Sequence, residues 1–246
     1  MTTPDATDLN LPLESRFVAL NAAIDSAAAA AGRDPGTITL IGASKTQPAE
    51  TLRAAHGLGL RDFGENYLDE ALAKRSALAD LDATWHYIGR IQSNKTRRIA
   101  EHFDWVHTVD REKIARRLSE QCPADKKLNV LLQVNVDRDP AKAGVLPEAA
   151  EALALAVHEL QNLRLRGLMT ILSRAQDPAV GYRSMAQLSR TIGASLPDTA
   201  FWGVLSMGMS GDLPAAIHAG ATHVRVGTAL FGPRPAAPEP SAPVSR

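Results

Sequence analysis

Cysteine is nearly missing from this chain: Cys122 is the single one in 246 residues. An internal disulfide and a cage of several thiolates are both excluded, and the usage fits a reducing compartment. Aromatic residues are scarce, at 4%. None of them interleaves with the one dense basic cluster, Lys95-Thr96-Arg97-Arg98, so a stacking platform for single-stranded nucleic acid is absent and that cluster reads as a solvated helix face. Neither sign of charge prevails, with 27 Lys+Arg against 27 Asp+Glu. Net charge therefore calls for neither nucleic acid nor an anionic membrane as partner. No apolar run reaches the length of a membrane span, and the opening MTTPDATDLNLPLESR has no basic flank leading into an apolar core, so the expectation is a cytoplasmic protein with no membrane partner. The seven histidines show no metal-ligand spacing such as HExxH, and no metal is expected.

What is present is a regular alternation. Hydrophobic residues make up 45% of the chain, enough for a full core at this length. The polar stretch 1–11 and the Pro/Ala/Ser-rich stretch 233–246 read as disordered tails around a single unit spanning 12–232. Within it, short β-branched runs predict strands at 38–44, 61–65, 84–89, 105–109, 129–136, 164–171, 200–206 and 223–227. Amphipathic segments lie between them. Helices are predicted to open at Pro48, after Asp110 as N-cap, and at Pro147, and the alanine-rich run ending at Gly32 reads as a covering helix. Eight such units in one chain predict a (β/α)8 TIM barrel. The competitor, an open doubly wound sheet, lacks the GxGxxG that its dinucleotide-binding version carries after the first strand.

In such a barrel the chemistry gathers where the strands end. Lys45 follows strand one, Glu65 and Asn66 close strand two, and His86 to Arg90 close strand three. Asn135, Met169-Thr170, Ser206 and Arg225 to Thr228 fall at the ends of later strands. A lysine at such a mouth serves either as a point charge for phosphate or as a Schiff-base nucleophile. The second role needs the neutral amine, whose ordinary pKa of about 10.4 must be lowered by burial or nearby cations. Arg90, Lys95 and Arg225 are the candidates for that field. The segment LSMGMSGDLPAAIHAGATHVRVGTALFG supplies small residues and hydroxyls at two turns, Ser206 to Gly211 and Gly227-Thr228. Backbone N–H groups can approach an anion closely there, which describes a phosphate cup. For His86, a buried hydrogen-bonded histidine and a role in the site both remain open. Tyr87 is expected between barrel and helix.

Six segments in order, ASKTQP, DFGENYLDE, WHYIGRIQSNK, LRLRGLMTI, LSMGMSGD and VRVGTALFG, resemble the pyridoxal phosphate homeostasis protein family. The likeness runs from about residue 12 to 232, with Ile91 where a leucine commonly precedes the glutamine. It implies a barrel similar to the N-terminal domain of alanine racemase, with pyridoxal 5'-phosphate (PLP) held as an internal aldimine on Lys45. It further implies that Ser210, Gly227 and Thr228 bind the phosphate with Ser206 as an added donor, that Arg225 faces the pyridine nitrogen, and that Asn66, His86 and Met169 stand behind these contacts. An arginine stays protonated, so a ring nitrogen facing it accepts a hydrogen bond and remains unprotonated, a weaker electron sink.

Alanine racemase draws a second base, a tyrosine, from a separate domain. Tyr67, Tyr87 and Tyr182 all lie in the barrel part here, and no counterpart is expected. The implied role is a monomeric, non-catalytic carrier that buffers PLP or delivers it to apo PLP-dependent enzymes. An amino-acid racemase or lyase using the same lysine is the main alternative, and a phosphosugar aldolase barrel the next.

Overall fold

A computed structural model describes residues 11–173 and 177–233. Among them the strands are β1 (Thr39–Ala43), β2 (Asp62–Glu65), β3 (Thr84–Tyr87), β4 (Trp105–Val109), β5 (Leu128–Gln133), β6 (Leu163–Met169), β7 (Val204–Ser206) and β8 (His223–Val226). All pair in parallel, in sequence order, and β8 closes on β1. The helices are α1 (Leu13–Ala30), α2 (Ala49–Gly57), α3 (Leu68–Ala77), α4 (Thr96–His102), α5 (Glu112–Gln121), α6 (Pro147–His158), α7 (Pro178–Ser195), α8 (Leu213–His218) and α9 (Thr228–Phe231). This is the (β/α)8 barrel that the alternation predicts. The expected tails fall, but for Leu11 and Pro233, outside the described residues.

Local chemistry explains several boundaries. Gly32, at φ +65°, takes the left-handed conformation that stops α1. Pro147 and Pro178 open α6 and α7, where a missing N–H costs nothing, and Asp177 Oδ1 caps α7 by accepting from Ala179 N at 2.9 Å. Asp110 does not cap α5 as expected. Its carboxylate accepts from Arg111 Nη1 at 2.5 Å, and the helix begins two residues later at Glu112. The strand expected over 200–206 shrinks to Val204–Ser206, because a turn closed by Trp202 N to Thr199 O and the left-handed Gly203 (φ +129°) occupy its first half. The strand expected over 129–136 stops at Gln133, where the chain bends so that Val134 bridges Val145.

Residues alternate in and out along each strand. Leu40, Phe63, Trp85, Tyr87, Val106, Val130, Leu132, Leu168, Leu205, Val224 and Val226 join the buried layer between barrel and helices, against Leu52, Leu68, Ile99, Ile114, Leu118 and Met185. Each such side chain contributes about 1.5–3 kcal/mol of burial. The inner positions are different. Leu131, Met169 and Val204 form a small apolar cluster with Trp105, while His86, His107, Ser206 and Arg225 are buried among the barrel strands as polar groups. The outer ring is closed by α1, which packs on α8 and α9. At one end of α1 the Arg16 Nε–H donates to Leu230 O at 2.8 Å, and beyond the other end Arg33 Nη1 donates to Ile217 O and Ala221 O at 2.8 and 2.7 Å.

Candidate ligand site at the barrel mouth

Lys45 lies two residues beyond β1, half-buried, with its backbone pinned on both sides. Ser44, fully buried, donates through N to Gly64 O at 2.9 Å and through Oγ to Glu65 Oε1 at 2.7 Å. Thr46 N donates to Glu70 Oε1 at 2.5 Å, and Thr46 sits at φ +66°, a conformation that a β-branched residue rarely adopts. Lys74 binds this arrangement together: its Nζ donates to Ser44 O at 2.7 Å, Glu65 Oε1 at 2.7 Å and Glu70 Oε1 at 2.6 Å. The Lys45 ammonium has no hydrogen-bond or ion-pair partner among the described residues. A strained, over-determined backbone thus carries a side chain left free to react.

Arg225, on the neighbouring strand β8, is buried with its guanidinium held at two points. Nη1 donates to Ser206 Oγ at 2.7 Å and Nη2 to Thr170 O at 2.9 Å. Burial draws its pKa down to about 10, which leaves it a cation at neutral pH. Ser206 is fully buried at the end of β7, and its hydroxyl also meets His107 Nδ1 at 2.9 Å. It is therefore engaged inside the barrel. Ser210 and Thr228 are placed differently: half-buried and exposed respectively, they carry hydroxyls without a partner among the described residues.

The loop bearing Ser210 is fixed by Gly208, at φ +98°, where an added Cβ would stand 2.6 Å from Ala216 Cβ. It is fixed again by Asp212, whose Oδ1 accepts from Met209 N at 2.6 Å and whose Oδ2 accepts from Tyr182 at 2.8 Å. Gly227 abuts β1: a Cβ there would meet Ala43 O at 3.3 Å. Lys45, Arg225, Gly227 and Thr228 are so brought to one sector of the mouth, at the β8–β1 seam.

The remaining predicted residues lie deeper or to the side. His86 and Met169 are fully buried inside the barrel. His86 Nε2 meets Asp62 Oδ1 at 2.9 Å, and its Nδ1 meets His107 Nε2 at 2.9 Å. Asn66 lines a cavity of about 250 Å³ on the far side of the mouth, with Gly89, Arg90, Thr108, Gln133 and Ile171. Arg90 belongs to that cavity, whereas Lys95 turns to Asp69 at 3.7 Å beside the Arg98–Asp69 pair at 2.8 Å. Lys95 thus joins the surface pairs of α4. Tyr87 packs edge-on against Phe103 and donates to Arg90 O at 3.2 Å; burial pushes its phenol up to about 12. Burial, with Asp212 next, drives the Tyr182 phenol well above its ordinary range.

Sequence reasoning missed Asp62, His107 and Lys74. Inward parity along WVHTV and HVRV would have found His107 facing the same interior as Arg225. Nothing in the pattern around Lys74 separates it from any other helix lysine.

The fold is a barrel of the alanine racemase class, and the alanine racemase N-terminal domain matches residues 41–235. Alanine racemase of Clostridium difficile shares the fold at TM-score 0.69 and 14% identity, over 90% of this chain and 57% of that one. Much nearer relatives exist. The pyridoxal phosphate homeostasis protein of Pseudomonas aeruginosa is 58% identical over 214 residues, covering 87% of this chain and 92% of that protein. Its counterpart in Escherichia coli K12 is 44% identical, covering 86% and 92%. PipY of Synechococcus elongatus, solved with PLP bound, superimposes at TM-score 0.79 and 35% identity, over 90% of this chain and 100% of that one. The chain belongs to the pyridoxal phosphate homeostasis protein family. Among the described residues no helix is long and apolar enough to cross a membrane.

Proposed function

We propose that this protein binds PLP through a Schiff-base link to Lys45 and acts as a non-catalytic carrier that buffers the cofactor and releases it to apo PLP-dependent enzymes. The observation that carries this reading is the unpartnered Lys45 Nζ on a backbone pinned by Ser44, Thr46 and Lys74. The residues around it fit the group. Ser210 and Thr228 offer free hydroxyls to a phosphate, Gly227 lets backbone approach β1, and Arg225 keeps N–H donors beyond the two it uses on Ser206 and Thr170. When bound, PLP supplies an aldehyde carbon that condenses with amines. Lys45 would hold it in place and Arg225 would donate to its ring, with Met169 and His86 deeper in the barrel and Asn66 across the mouth.

A racemase needs a proton carrier on each face of the substrate. Of the three tyrosines, Tyr87 and Tyr182 have hydroxyls already engaged on Arg90 O and Asp212, which leaves the largely exposed Tyr67 for that role and favours the carrier over the racemase. The test is an absorbance spectrum of purified protein with added PLP, before and after borohydride, followed by peptide mapping. A visible band that fades on reduction, with the label on Lys45, is expected. A colourless titration, or a label on another lysine, overturns the proposal. Exchange of amino-acid α-protons into deuterated water faster than free PLP gives would establish the racemase reading in its place.

A further inference from the structure

Five residues from five strands form an unbroken hydrogen-bonded chain across the barrel interior: Arg225, Ser206, His107, His86 and Asp62, with contacts of 2.7, 2.9, 2.9 and 2.9 Å. Its direction follows from its ends and from a single proton on His86. Arginine only donates, so Ser206 Oγ accepts at one end. A carboxylate only accepts, so at the other end His86 Nε2 carries the proton given to Asp62. With a single proton on His86, its Nδ1 is an acceptor, and His107 Nε2–H donates to it. His107 Nδ1 is left as an acceptor, which the Ser206 hydroxyl fills. Every member is then satisfied, with all the protons pointing away from Arg225. A second proton on His107 would set another cation beside Arg225 in a buried site, and burial together with His86, His223 and Arg225 holds His107 well below the ordinary histidine range.

We propose that Asp62, His86, His107 and Ser206 are positioning residues, a one-way relay that fixes the Arg225 guanidinium as a donor at the floor of the site and makes the site select ligands whose facing ring atom is an unprotonated nitrogen. This rests on the reading that PLP lies against Arg225. Each member takes its proton from the Arg225 side, so the Arg225 guanidinium presents only N–H donors to the ligand. Removing His107 frees Ser206 to reorient and Arg225 to swing.

The experiment has two arms. In apo-protein labelled with 15N-histidine, NMR at neutral pH is expected to show His86 and His107 neutral, each with its proton on Nε2. A proton on Nδ1 of either overturns the relay. In the second arm, affinities are measured for PLP and for its carbocyclic analogue with C–H at the ring-nitrogen position. Wild type is expected to prefer PLP by about tenfold, the scale of one hydrogen bond to a charged group. In His107→Phe and Asp62→Ala that ratio is expected to fall toward one, whereas a merely structural defect would weaken both ligands alike and leave it unchanged. An unchanged ratio in folded Asp62→Ala, which alters a partly exposed end of the chain, overturns the selection role. If wild type binds neither ligand, the PLP reading and the selection role fall together, and the tautomers still decide whether the relay exists.

Discussion

On the proposed reading, Lys45 is a binding residue that contributes little to stability. Its Nζ has no hydrogen-bond or ion-pair partner among the described residues, while its neighbours Ser44 and Thr46 are bound to Glu65 and Glu70. Lys45→Ala is therefore expected to abolish PLP capture yet shift unfolding free energy by no more than about 0.5 kcal/mol, measured by urea denaturation of ligand-free protein. A larger loss would mean that the amine has a structural partner. At this scale the sequence was readable where a residue stood at a strand end: Lys45, Arg225 and Thr228 all lie at the mouth. It was less readable for Ser206. The same strand-end position led to a phosphate donor as the expectation, but the side chain points into the barrel, where Arg225 and His107 take its hydroxyl.

Helix α3 does more than cover β2 and β3, because it delivers Lys74 to a buried site under the loop that follows β1. Glu65 is fully buried, and burial raises its pKa more than Lys74 lowers it; its Oε2 has no partner among the described residues. Lys74→Met would leave that carboxylate without its cation, at a cost of about 3–5 kcal/mol. The sign with pH follows. An acid whose folded pKa is raised binds more protons folded than unfolded, so its contribution is favourable below its ordinary range and is lost as pH rises through the folded value. The deficit of Lys74→Met against wild type should shrink on acidification toward pH 4.5, as chemical denaturation across pH will show. A constant deficit would mean that Glu65 does not titrate there. Element order was legible because turn residues and β-branched runs punctuate it. The ends of β5 and β7 were not, since the bend to Val145 and the turn at Gly203 depend on contacts far along the chain.

The whole molecule carries its polarity inside the barrel, where aliphatic layers would otherwise pack. Burial is the first cause that holds His107 well below its ordinary value, and it also takes His223 down to about 3. For a base with a depressed folded pKa, the unfolded chain binds the extra proton. Stability is then full above the ordinary value near 6.5 and is lost as pH falls toward the folded one. His107 alone gives a slope of about 1.4 kcal/mol per pH unit below pH 6, and His223 adds in the same direction. Thermal midpoints should fall steeply between pH 6 and 5 in wild type and less steeply in His107→Phe; equal slopes would place the titration elsewhere. The barrel itself was legible from eight alternating units, but its polar interior was not, because strand runs were read for hydrophobicity and not for which residues share an inner face.

The clasp of α1 on α8 and α9 has a practical outcome. Arg16 holds Leu230 O, and a Cβ added at Gly232 would stand 3.3 Å from the same guanidinium, so the first and last described stretches lie together. An affinity handle or fluorescent fusion at either terminus is tethered through one of these two neighbouring stretches, and titrations are best made on protein from which such additions have been cleaved.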